Sequence, residues 1–139
     1  MDGRRSGLLP EALLVAFPEI DLQHEQLISF LETLKNTCFG SSDIPTEGFR
    51  RLVNDLEQHF AEEERLAMLH GIDFSEHAIA HQENVRAIRG SLEAVLSGTS
   101  DAYSFLRYVE IWLERHILQF DRNFAADLRK SAGVRSHQG

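Results

Sequence analysis

The chain has one cysteine, Cys38, in 139 residues. A single thiol excludes an intrachain disulfide and any metal site built from several cysteines. Proline is nearly as scarce. Pro10, Pro18 and Pro45 are the only three, so everything after Pro45 is free of the residue that breaks helices. Apolar runs are short: the longest, Ala12 to Phe17, falls far below the ~20 residues needed to span a bilayer. Basic residues are in deficit, with 14 Lys and Arg against 22 Asp and Glu and a net charge of −8. That balance argues against nucleic acid and against an anionic membrane surface as partners, since both call for Lys/Arg patches. Arg4 and Arg5 precede a leucine-rich stretch, as in a signal peptide. Pro10 and Glu11 interrupt that stretch, however, and no small-residue cleavage site follows. An arm lying on the domain is expected instead, and the lone thiol makes the cytoplasm the expected compartment.

Against these absences stand seven histidines. If the protein holds a metal, imidazole and carboxylate must hold it. The length allows one domain, taken as residues 1–139, and at this size a buried core needs no covalent staple.

Four segments carry the i, i+3, i+4, i+7 spacing of an amphipathic helix. The first, about Ile20 to Thr37, has the stripe Ile20, His24, Leu27, Ile28, Leu31 and Leu34, and stops near Phe39-Gly40-Ser41-Ser42. The second, about Thr46 to Leu69, lines up Phe49, Leu52, Val53, Leu56, His59, Phe60, Glu63, Leu66 and Ala67, and Gly71 closes it. The third starts near Asp73, with Glu76 placed for a capping box. Its stripe is His77, His81, Val85, Ile88, Leu92, Val95 and Leu96, and Ser97-Gly98 ends it. The fourth, about Asp101 to Arg129, has Phe105, Val109, Trp112, Leu113, His116, Ile117, Phe120, Phe124 and Leu128. No strand-like alternation competes. The expected fold is all-α: an antiparallel up-down-up-down four-helix bundle over 20–129, with an N-terminal arm over 1–19 and a frayed polar tail over 130–139.

Five histidines, His24, His59, His77, His81 and His116, fall on the apolar stripes, whereas His70 lies in a loop and His137 in the tail. Glu63 is about 40° round the helical wheel from His59, near the middle of a buried face. Asp121 is about 140° from His116, so on regular helix geometry the two occupy opposite shoulders of their stripe. Alone, each of these residues is unremarkable in a helix. Together they would leave five imidazoles and a carboxylate without partners among apolar neighbours, and a metal satisfies them all at once. The donor number exceeds the needs of one ion and suits two metals bridged by the carboxylates, with iron, manganese and zinc all compatible.

These motifs resemble the hemerythrins, in particular the bacterial single-domain members. The likeness is carried by Ile20-Asp21-x-x-His24, His59-Phe60-x-x-Glu63-Glu64, His77-x-x-x-His81 and Trp112-Leu113-x-x-His116-Ile117-x-x-x-Asp121, and spans about residues 17 to 124. Two features depart from the bacterial pattern: the segment from Glu63 to His77 is one residue short, displacing Met68, and Phe17 or Leu14 stands in for an arm tryptophan. The resemblance implies a non-haem diiron site. His77, His81 and His116 would bind one iron, His24 and His59 the other, and Glu63 and Asp121 would bridge them with an oxo or hydroxo group.

The implied function is reversible binding of dioxygen for storage, transport or delivery, with no enzymatic role. Nitric oxide, azide and other small anions would be further ligands of the open iron. Ile28, Phe60, Trp112 and Ile117 would line the oxygen pocket. The alternatives are an oxygen, nitric oxide or redox sensor acting through a separate partner, and a diiron peroxide or nitric oxide reductase.

Overall fold

A computed structural model describes residues 10–39 and 45–138, the last six of these by backbone alone. The helices are α1 (Pro18–Phe39), α2 (Thr46–His70), α3 (Ser75–Leu96), α4 (Ala102–His116) and α5 (Arg122–Gln138), with a 3-10 turn at Glu11–Leu13 and a π-helical turn at Ile117–Asp121. The π turn joins α4 to α5 without a loop, so the chain forms four rods. Helix α1 packs on α2 and α4, α2 on α3 and α5, and α3 on α4, which closes the ring of the expected bundle.

Cross-helix pairs fix the antiparallel sense. The end of α1 meets the start of α4 through Lys35 Nζ and Glu110 Oε2 at 3.0 Å and through the stacked rings of Phe39 and Tyr103. Glu57 of α2 pairs with Arg89 of α3 at 2.6 Å. Close approach of α1 and α2 depends on Gly48, where a Cβ would lie 2.7 Å from Leu34 Cδ2.

The nine stripe residues expected for the second helix are the nine that α2 buries. In α3, Asn84 is buried, while Val85 and Leu96 are only partly covered. In the last rod Trp112 is partly buried and Phe120 half-buried, whereas Leu106, Asp121 and Ala125 are buried.

Several boundaries differ from expectation. Helix α1 begins inside the expected arm, at Pro18, because proline suits the first helical position. The rest of the described arm is held down: Leu13 and Val15 are buried, Val15 N donates to Asp21 Oδ1 at 2.8 Å, and Arg122 and Arg129 donate to the carbonyls of Ala12 and Val15. Leu14 and Phe17 both pack against the core. The described part of the expected tail is helical, since α5 runs through Gln138. The expected capping box of Asp73 and Glu76 does not form: Phe74 is the N-cap of α3, and Asp73, one residue earlier, accepts at Oδ1 from Ser75 N and Oγ at 3.0 and 2.6 Å. The stop expected at Gly40–Ser42, residues 1–9 and the His137 side chain lie outside the described residues. No helix among the described residues is long and apolar enough to cross a membrane.

Gly71 ends α2 in the left-handed region (φ 66°), where its N–H and that of Ile72 take up the carbonyls of Met68 and Ala67. A Cβ there would touch nothing, so the whole penalty of a side chain is conformational. Gly71→Ala is expected to lower stability by about 1–2 kcal/mol in a urea titration, with the helical signal of the native state unchanged.

Candidate metal centre

The site forms where the four rods face one another, nearer the end of the bundle at which α1 and α3 begin. Helix α1 supplies His24. Helix α2 supplies His59 and Glu63, four apart on one face, and α3 supplies His77 and His81 in the same relation. The last rod supplies His116 and Asp121, and here regular helix geometry misleads. The Arg122 N–H donates to the Ile117 carbonyl five residues back, the π-helical bond. That wider turn brings residues five apart into line, so His116 and Asp121 share a face, with Asp121 Oδ1 3.3 Å from His116 Nε2.

All seven side chains are buried. His24, Glu63 and Asp121 are 0% exposed, and His77, the most open, is 7%. Their ligand atoms form two overlapping clusters: Glu63, His77, His81, His116 and Asp121 in one, and His24, His59, Glu63 and Asp121 in the other. In the first, the Nε2 atoms of His77 and His81 lie 3.0 and 3.1 Å from His116 Nε2. Glu63 Oε1 is 3.4 Å from His77 Nε2 and 3.2 Å from His81 Nε2, and Asp121 Oδ1 is 3.1 Å from His77 Nε2. In the second, Glu63 Oε2 is 3.2 Å from His59 Nε2, and Asp121 Oδ2 is 2.9 Å from His24 Nε2.

These contacts are close without being aligned as hydrogen bonds for most of the atoms. His24 Nε2, His59 Nε2 and both oxygens of Glu63 and of Asp121 are buried with no hydrogen-bond partner among the described residues. Leaving so many polar atoms unsatisfied would cost several kcal/mol. The spacing fits a cation at the focus. Around an ion with nitrogen ligands at ~2.1 Å, ligand atoms at right angles are ~3.0 Å apart and those at the tetrahedral angle ~3.4 Å. The nitrogen separations of 3.0 and 3.1 Å match the right-angle edge of an octahedral site.

Burial sets the protonation of the groups. It pushes His59 down to about 3, helped by the neighbouring His24, and His81 down to about 2, helped by His77 and His116. His77 is lowered for the same reason. These imidazoles stay neutral and keep a lone pair for a metal. Burial and the nearby Asp121 raise the Glu63 carboxyl well above its usual range. Burial pushes Asp121 in the same sense, but His116, His24 and His77 around it outweigh this and hold it well below.

Aromatic rings surround the three-histidine cluster. Phe60 stacks on His81 with centroids 3.9 Å apart, and Trp112 stacks on His116 at 4.6 Å. Phe120 on His116 and Phe74 on His77, the latter outside every stripe, complete this wall. Ile28 and Ile117 are buried core residues. The cleft that reaches His59 is lined by Gln23, Gln26, Leu27, Asp55, Gln58 and Glu62. Gln23 also accepts from His59 Nδ1 at 2.5 Å, which leaves Nε2 as the inward lone pair. Its place beside His24 on α1 is ordinary for a half-exposed residue, so spacing carries no signal for it. Asn84, one turn beyond His81, is buried with neither amide atom hydrogen-bonded. His70, set aside as a loop residue, ends α2 and lies 3.1 Å from Ser131 Oγ, away from the clusters.

The metal-free protein should lose stability as pH falls from about 6.5 towards 3. Unfolded histidines take up protons in that window, while His59, His77 and His81 in the fold refuse them. Glu63 works in the opposite sense above its ordinary value of 4.5, but it is one group against three. Urea unfolding of chelator-treated protein should therefore show a lower midpoint at pH 5 than at pH 7.5; an equal or higher midpoint at pH 5 contradicts the assignment of neutral buried imidazoles.

No curated protein matches the chain. Its sequence does match the family described as the hemerythrin HHE cation-binding domain, over residues 15–128. That stretch takes in all seven convergent side chains and all four rods, and the chain is a member of the hemerythrin HHE cation-binding family.

Proposed function

We propose that the seven side chains hold two iron ions, bridged by an oxo or hydroxo group from solvent, and that the centre binds dioxygen reversibly for storage, transport or delivery. One observation carries the two-ion reading: each buried carboxylate divides its oxygens between the clusters. Glu63 Oε1 and Asp121 Oδ1 face His77, His81 and His116, while Glu63 Oε2 and Asp121 Oδ2 face His59 and His24. One carboxylate serving one ion has no need to point its two oxygens at separate histidine sets.

In this reading His77, His81 and His116 hold one iron, His24 and His59 the other, and Glu63 and Asp121 span both. With the solvent bridge, the first set has six donors and the second five. The His24–His59 side thus keeps a position for an outside ligand: dioxygen, or alternatively nitric oxide, azide or another small anion. Two ferrous ions held there supply the two electrons that dioxygen takes up.

The chain's residues do the rest. Gln23 orients His59 beside the open position. Ile28, Phe60, Trp112 and Ile117 contribute the apolar surroundings that keep bulk water from the centre. Five imidazoles with only two carboxylates carry less negative charge than carboxylate-rich bundle sites. That difference disfavours high-valent iron and O–O cleavage, and so supports a carrier in preference to an enzyme.

The protein, loaded with iron and reduced without oxygen, should develop a visible charge-transfer band on admission of air and lose it on sparging with argon. Immediate irreversible oxidation would point to sensing or redox chemistry instead, and two zinc ions with no iron in the isolated protein would sink the oxygen reading. Glu63→Ala should lower iron content to one per chain or less by metal analysis. Full loading of that variant would remove Glu63 from its bridging role.

A further inference from the structure

A histidine that offers Nε2 to a metal carries its proton on Nδ1, and a buried Nδ1–H needs an acceptor. His59 has one in Gln23. His81 Nδ1 is buried without a hydrogen bond, and Glu64 Oε2 stands 3.8 Å from it. Both residues line the cleft between α2 and α3. Phe60, stacked on His81 with only 9° between the ring planes, limits the freedom of the imidazole to swing. The Glu64 side chain is 49% exposed and has room to move. A charge-assisted hydrogen bond spans about 2.7–2.9 Å, so a shift of about 1 Å at the end of a flexible side chain closes the gap.

We propose that Glu64 accepts the Nδ1–H of His81 and holds that ring in the tautomer that aims Nε2 at the centre. Glu64 is then a positioning residue, one place along α2 from the buried Glu63. The inference rests on the reading of His81 as a metal ligand. It also makes the two metal positions unequal. The outer partner of His59, on the two-histidine side, is a neutral amide, Gln23; that of His81, on the three-histidine side, is a carboxylate. A carboxylate partner raises the basicity of the imidazole it holds, so the three-histidine position keeps its ion the more tightly.

The test uses the full chain loaded with Zn2+, which is diamagnetic and isolates coordination from oxygen chemistry. Long-range 1H–15N spectra should show His81 of the wild type protonated at Nδ1. Chelator competition should show Glu64→Ala losing one of two zinc ions at about 10–100-fold lower chelator than the wild type, with Glu64→Gln recovering part of the loss. Glu93→Ala, an exposed position on α3 about 18 Å further along the helix, controls for net charge and should behave as the wild type. Unchanged spectra and retention in Glu64→Ala, or an equal loss in Glu93→Ala, would overturn the assignment of Glu64. A wild-type chain that holds no zinc at all, and so matches His81→Ala, would overturn the ligand reading beneath it.

Discussion

Five imidazole rings and two carboxylates withdrawn from water into one bundle interior require compensation, and the structure is organised around that requirement. Glu63 and Asp121 are fully buried, and among the described residues neither pairs with an arginine or lysine; the groups facing them are histidines. A buried pair of like charges without a counter-charge is among the most expensive arrangements in a protein. The fold without metal meets the cost by splitting the pair, holding Glu63 towards its neutral form and Asp121 towards its charged form. A cation shared between them removes the conflict and satisfies the orphaned nitrogens as well. Binding of metal and consolidation of the fold are then two faces of the same free energy.

The bundle suits this task because all four rods project side chains into a common space, three of them two side chains about one turn apart. His59 with Glu63 and His77 with His81 use the i, i+4 spacing of a regular helix. His116 and Asp121 do not, and the backbone changes to accommodate them. The π turn at Ile117–Asp121 gives up the regular bonding pattern at the level of the site, and in return both side chains face the same cluster. Around the three-histidine cluster Phe60, Phe74, Trp112 and Phe120 stack on imidazole faces, which fixes ring planes that hydrogen bonds alone would leave free to rotate.

Legibility in the sequence followed the regularity of the backbone. The buried face of α2 could be read residue by residue because that helix is long, regular and closed by a glycine. Six of the seven convergent side chains were readable for a related reason: polar residues on apolar stripes stand out against the cost of burying them, whereas Asp121 stood on the shoulder of its stripe. The relation between His116 and Asp121 was not readable, since a wheel of fixed pitch cannot register a change of pitch. Asn84 was missed in favour of Val85 because an amide has no place on an apolar stripe by pattern alone. Gln23 carried no signal either, and Glu64 stood only as part of the family motif, with no role read for it. Both are ordinary surface residue types, and their interest lies in which ring nitrogen they approach across a helix–helix boundary.

The sequence by itself determined the class of fold, the four rods and the identity of the polar side chains that converge between them. Those depend on local periodicity and on the mismatch between residue type and face, and both are written along the chain. Tertiary structure alone decided how the donors divide into two clusters, which carboxylate oxygen faces which histidines, and which outer side chain stands behind each ring. Those are distances between residues on different helices, set by how the rods pack and by one turn of altered pitch.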